Sequence, residues 1–373
     1  MATEKKQRLV SIDALRGFDM IWILGAEGIF AALFIVTGWP LFDVAAGQML
    51  HSRWHGFTAY DLIFPLFIFL SGVSIGIAGK PMREYPQDQK KLKQRRAVRR
   101  LALLFALGVL YNHGWGTGVP LSLDEIRYAS VLGRIGIAWF VATLLVWYVG
   151  IRLQWVFAGG ILLGYWGLLS LATIAGHGGG DFSNTGALNA WFDQTLLPGI
   201  RYQNLAIDPE GILSNLSSVV NALAGVFAGR HMIKHREAPY LLLGHFVIAG
   251  LLLLALGYAW GMVFPINKTL WTSSFVLVTL GYSLILLSIF YYLIDVLGFQ
   301  HWAKFFAIIG VNSIIAYLAT SLVQWKFLTA SLFGGVMAAA SPAWHSLLQV
   351  CLLVLVQWFF LYWLYRRNIF IKV

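Results

Sequence analysis

Four charged or titratable side chains stand directly before one of the most apolar runs of the chain. In "HSRWHGFTAYDLIFPLFIFLSG", His51, Arg53, His55 and Asp61 lead into residues 62–70, which contain no charge. An imidazole followed ten residues later by a carboxylate that can fold back onto one ring nitrogen is the pair that general-base or nucleophilic work requires. The chemistry within reach is removal of a proton from an amine or hydroxyl, or transient capture of an acyl group. The plainer reading of His51 is an interfacial histidine that meets lipid headgroups or packs on Trp54. His51 and His55, four residues apart, would share a metal if the stretch were helical. No Glu follows the first His as it does in metalloproteases, so no metal is expected.

The elements that must hold these residues are membrane helices. The chain has 373 residues, 59% hydrophobic and 12% charged, with a mean hydropathy of +0.72, where a soluble domain carries about a quarter charged residues. The reading is an all-α polytopic membrane protein, a single integral membrane domain over 1–373. Stretches long enough to cross a bilayer predict ten spans, near 17–37, 59–79, 98–114, 131–149, 154–175, 212–229, 239–262, 271–294, 304–324 and 345–365. The first run after Arg16 contains Asp19 and Glu27 and lacks a small-residue cleavage site, so it is expected to stay as a span. Cys351 is the single cysteine, which excludes an intrachain disulfide.

A net charge of +11 raises nucleic acid as a partner, but the basic residues sit in the gaps between apolar runs. Lys5, Lys6, Arg8, Arg16, the "KKLKQRRAVRR" loop, Arg366, Arg367 and Lys372 all fall on one side if both termini are inside. The positive-inside rule then sets an N-in/C-in orientation and makes membrane lipid, not nucleic acid, the surface those charges meet. The basic loop 80–97 is cytoplasmic. Outer loops are expected at 38–58, 115–130, 176–211 and 325–344, with His51 and His55 outside and Asp61 about one turn into the second span. Stretches such as "HGGGDFSNTGALNAWFDQ" suit a polar vestibule for an extracytoplasmic ligand. Spans rich in small residues leave room for a homodimer.

Ionisable groups inside apolar spans are costly and mark a partner, a cavity or a pathway. Asp19 lies close enough to the boundary to snorkel. Glu27 lies deep and must be neutral, paired or wet. Arg134 reads either as the partner of an intramembrane carboxylate or as a ligand-binding cation.

"RLVSIDALRGFDMIWI", "HSRWHGFTAYDLIFPLFIFLSGVSI", "YASVLGRIGIAWF", "DPEGILSNLSSVVNALAGVFAG", "FPINKTLWTSSFVLVTLGYS" and "IIGVNSIIAYL" occur in this order. Together they resemble the heparan-alpha-glucosaminide N-acetyltransferase family of transmembrane acyltransferases, in its bacterial form without a luminal domain. The resemblance implies transfer of acetyl from cytoplasmic acetyl-CoA to the amine of an extracytoplasmic amino sugar or glycan, across a bacterial inner membrane. It implies His51 as the catalytic histidine on the periplasmic side, with Trp54 and Asp61 matching the pattern. His51 would act as an acetyl carrier or as a base, Asp61 would set its tautomer, and Glu27 would stand where the family often has Asn. The loop between Gly28 and His51 is also longer than the family pattern. Arg16, Arg95, Arg96, Arg99, Arg100, Arg134 and Lys304 are the cations expected to hold CoA. Trp54, His55, Asp208, Glu210, Asn267, Lys268 and Asn312 are expected on the acceptor side, the alternative for "DPEG" and "NKTLW" being helix capping and interfacial anchoring. Bacterial relatives also raise a second function, an inner-membrane transporter of N-acetylglucosamine, in which Glu27, Asp61 and Arg134 would couple protons or substrate.

Overall fold

The computed structural model describes residues 9–114 and 122–370. Lys5, Lys6, Arg8 and Lys372 of the expected inner charge, and residues 115–121 of an expected outer loop, lie outside the described residues. The described chain is mostly helical: α1 (Val10–Ile23), α2 (Ile29–Thr37), α3 (Pro40–Gln48), α4 (Ile63–Ala78), α5 (Gln87–His113), α6 (Val131–Tyr148) and α7 (Ile151–Leu171) come first. A two-stranded antiparallel hairpin of β1 (Thr173–Ile174) and β2 (His177–Gly178) leads to α8 (Leu188–Leu196), α9 (Ser214–Lys234), α10 (Pro239–Gly261) and α11 (Ser273–Tyr291). The chain ends with α12 (Ala303–Val311), α13 (Ser313–Leu322), α14 (Trp325–Ala339) and α15 (Pro342–Arg366).

Among the described residues, six helices are long and apolar enough to cross a membrane, or up to eight if each of two bent pairs is one span. The sequence reading of ten is therefore larger than length and apolarity support. The two remaining segments are helical but mixed in character: α5 begins with seven Lys and Arg side chains up to Arg100, and α9 carries Ser214, Asn215, Ser217, Ser218 and Asn221 along its first turns. Short helices α3, α8 and α14 also form within stretches expected to be outer loops.

Two compact units make up the described chain. One contains the residues up to Leu50, the turn Thr58–Ile63 and the residues from Ile285 onward. Here the first and ninth expected spans are broken. Gly25 adopts φ +111°, a left-handed conformation open to glycine, and α1 turns by 70° into the next helical pair. A break frees carbonyls that an apolar surrounding cannot satisfy; Gln357 of α15 answers by donating Nε2–H to Leu24 O at 2.6 Å. The α12–α13 pair bends by 71° at Asn312, whose Nδ2 donates to Ile369 O at 3.0 Å.

The other unit contains His51–Phe57 and Phe64–Leu284. Its centre is a crossing of α4 and α9 through matched small residues, Gly72 and Gly76 against Gly225 and Gly229. A Cβ on Gly72 would stand 1.9 Å from Ala222 O, and one on Gly225 would stand 2.0 Å from Phe69 O, so backbone meets backbone without room for a side chain. Small-residue faces give membrane helices this close approach, and in this chain those two stripes are occupied by each other.

Candidate functional site

Residues 51–58 are extended and bent, not helical, so the geometry by which His51 and His55 would share a metal as neighbours on one helix turn is absent. The segment is instead pinned to the turn that precedes α11. Gly56 N–H donates to Ile266 O at 2.8 Å, and Trp54 Nε1–H donates to Phe182 O at 2.9 Å. Asn267, 0% exposed, is the clamp. Its Nδ2 donates to Trp54 O at 2.8 Å and approaches His55 Nδ1 at 3.4 Å, while its Oδ1 accepts from Leu270 N–H at 2.8 Å. Ala187, Ala190, Ile207 and Leu270 pack beneath Trp54. Thus His51, Trp54, His55, Asn267 and Lys268, all singled out from sequence, converge on one place.

Lys268 Nζ lies 3.0 Å from His51 Nδ1 and 3.4 Å from Nε2. An ammonium has only donors, so it bonds a ring nitrogen through that nitrogen's lone pair. With Lys268 charged, Nδ1 accepts and the imidazole is neutral, with its proton on Nε2. Partial burial depresses the proton affinity of His55 below the ordinary histidine value.

The turn that presents Lys268 is strained. Trp271 has φ +53°, rare for a side chain of that size, and is fully buried. It is held by Ser217 Oγ, which donates to its carbonyl at 2.6 Å, and by Asn221 Oδ1, which accepts its indole N–H at 3.0 Å. Arg134, 1% exposed, lies over the indole at 4.5 Å and donates to Ser214 Oγ. It therefore braces the turn from within the unit, away from the exposed arginines expected to share its ligand. Its Nε and Nη1 have no hydrogen-bond partner in the described structure.

Asp208 and Glu210 form a separate knot. Arg127 grips Asp208 with Nε at 2.9 Å and Nη2 at 2.6 Å, and the same Nη2 reaches Glu210 Oε2 at 2.5 Å. Tyr202 N–H and Glu210 N–H also donate to Asp208. Burial pushes the Asp208 carboxyl up, but the Arg127 guanidinium outweighs it and holds the group below the usual carboxylate range. Next to it Asp193 accepts Ile212 N–H at 2.8 Å and Asp208 N–H at 3.1 Å, and burial raises its carboxyl to about 6. Sequence reasoning named neither Arg127 nor Asp193 as part of the site. The available signal was an arginine on a side otherwise poor in basic residues.

The remaining expected residues fall elsewhere. Arg95, Arg96 and Arg99 are exposed on the first half of α5, and Arg100 lies over the Trp139 ring at 4.1 Å. Arg16 pairs with Asp13 at 3.5 Å, and Lys304 is exposed on α12; both belong to the unit that also holds Asp61, Glu27 and Asn312. Asp61 is buried in a capping box: its Oδ2 accepts Thr58 N–H at 3.3 Å and Thr58 Oγ–H at 3.1 Å. Glu27 sits in the turn at the 70° bend, half-buried, with Oε2 unpaired in the described structure. Asn312 is at the second bend and bonds Ile369, so a joint in the helix accounts for it.

No family model matches the chain. Two proteins named heparan-alpha-glucosaminide N-acetyltransferase do. The human protein is 26% identical over 424 aligned residues, covering 98% of this chain and 60% of the relative. The mouse protein is 28% identical over 334 residues, covering 74% of this chain and 50% of the relative. The chain thus spans between half and three-fifths of the length of these curated relatives. The chain is therefore similar to heparan-alpha-glucosaminide N-acetyltransferases over most of its length, at 26–28% identity.

Proposed function

We propose that the chain is a membrane acetyltransferase that takes acetyl from acetyl-CoA on the cytoplasmic side and delivers it to the amine of an amino sugar on the other side, with ten crossings and both termini inside. The observation that carries this reading is the His51–Lys268 pair on a segment fixed by Asn267 and Trp54. In the direct route Lys268 swings off His51 Nδ1, and that ring nitrogen takes a proton from the acceptor ammonium. The freed amine attacks the thioester carbonyl, and Lys268 offers a cation to the oxyanion that develops. Collapse breaks the C–S bond, the CoA thiolate takes the proton that His51 returns, and the acylated nitrogen loses its extra proton to water. In the stepwise route the His51 imidazole attacks the thioester first, the C–S bond breaks and the CoA thiolate leaves, and the amine then attacks acetyl-His51 and frees the ring. The exposed arginines of α5 supply charge for the nucleotide phosphates.

The test uses purified protein with labelled acetyl-CoA and glucosamine. Acetylated sugar should form, and His51→Ala should abolish it while CoA binding persists. A quench before acceptor is added separates the two routes, because only the stepwise one leaves label on the protein. Glucosamine left unacetylated, with N-acetylglucosamine entering proteoliposomes in the absence of CoA, would replace this reading with transport.

A further inference from the structure

We propose that His231, His235 and His245 form a binding site for one divalent transition cation, zinc or a neighbour of similar ligand preference. Among the described residues this is the one group of three or more His, Cys, Asp or Glu side chains close enough to share an ion, with all the ligand atoms within 4.8 Å of one another. The sequence reading, which considered only His51 and His55, expected no metal.

The arrangement follows from helix geometry. His231 and His235 are four residues apart at the end of α9, which puts their rings on one face; the ring centroids are 4.3 Å apart and the planes tilted by 49°. His245 comes from α10, after a turn in which Ala238 N–H bonds His235 O at 3.0 Å. Its ring lies 5.1 Å from that of His231 and 5.4 Å from that of His235. His231 Nε2 and His245 Nδ1 face each other at 2.9 Å. Zinc–imidazole bonds of about 2.0–2.1 Å set neighbouring donor atoms about 3.3 Å apart in a tetrahedron. Small ring rotations therefore convert the hydrogen-bonded pair into two ligands of one ion.

The donor set decides the class of cation. Three imidazoles with no carboxylate suit zinc, cobalt, nickel or copper and not magnesium or calcium, which take oxygen. The end of α9 is its carboxyl end, where the helix dipole favours positive charge. Arg230 and Arg236 each adjoin one of the histidines in sequence, and Arg230 is drawn toward Gln154 Oε1 at 2.8 Å. Lys234, in the same turn, opposes the ion and weakens its binding. His245 is exposed near the start of α10, which leaves a fourth position for a ligand from outside the chain. Occupancy would tie α9 to α10 across their turn.

The experiment uses full-length protein carrying a purification tag without histidine and stripped with chelator. Cobalt(II) titration should saturate at one ion per chain with the visible absorption of a four-coordinate centre, and zinc should displace it and raise the melting temperature. His245→Ala, a change at an exposed position, should weaken binding by at least about tenfold, since even outer-shell changes cost 10–100-fold. His245→Cys should keep the ion and add a thiolate-to-cobalt charge-transfer band in the near ultraviolet. No saturable binding by the parent protein, equal binding after replacing all three histidines by Ala, or cobalt bound to the Cys variant without that band would each overturn the proposal.

Discussion

Asn267→Ala is the most searching perturbation of the site, because Asn267 touches no proposed reactant and yet holds the segment that carries His51. The substitution removes a donor to Trp54 O at 2.8 Å and an acceptor for Leu270 N–H at 2.8 Å, both at a fully buried position. Each abandoned buried backbone group costs about 1–3 kcal/mol, so the two together cost about 2–6 kcal/mol, of which the His51 segment loses its share at Trp54 O. Displacing a catalytic group by about 1 Å costs on the order of a hundredfold in rate, and kcat for acetyl transfer should fall by that order. Asn267→Asp keeps the acceptor for Leu270 but loses the donor to Trp54, and should fall between parent and alanine variant. The assay pairs kcat with the rate at which diethylpyrocarbonate modifies His51, read by peptide mass spectrometry. Loss of the clamp should free the ring and speed its modification. An alanine variant with parental turnover and parental modification rate would show that Asn267 does not position His51.

Arg127→Met should destabilise the protein by about 3–5 kcal/mol, because it strands the buried Asp208 carboxylate; adding Asp208→Asn should recover part of the loss, and two losses that simply add in thermal melts would contradict the pairing. Asp193 has a folded-state value of about 6 against 3.8 in the unfolded chain, so the folded state holds its proton more tightly. The stability from that proton is complete below pH 3.8 and is lost as pH rises through about 6, an upper limit of about 3 kcal/mol. Asp193→Asn should flatten the melting temperature against pH across that window, and an unchanged slope would refute the assignment. Replacing Arg95, Arg96, Arg99 and Arg100 together by Gln should weaken CoA binding and reduce its dependence on salt; unchanged binding in a CoA titration would leave those arginines as determinants of topology alone.

Much of this protein is written locally in its chain. Hydropathy at helical length is a property of consecutive residues, so the membrane class, the helix-rich fold and the position of nearly every long helix could be read directly. The apolar run after Asp61 and the charge before it likewise marked His51 without any structure. What local pattern does not contain is the partner across the chain. Lys268 lies 217 residues from His51, and Arg127 lies 81 from Asp208; only the folding of the second unit, with α4 and α9 crossing at their glycines, closes loops of that length. The breaks at Gly25 and Asn312 were hidden for a related reason. An apolar run records that a segment prefers lipid or core, but a bend survives only where another element, here Gln357 or Ile369, satisfies the backbone or anchors the joint. Composition thus decides which solvent each segment meets, whereas long-range hydrogen bonds between buried polar groups decide which side chains meet each other.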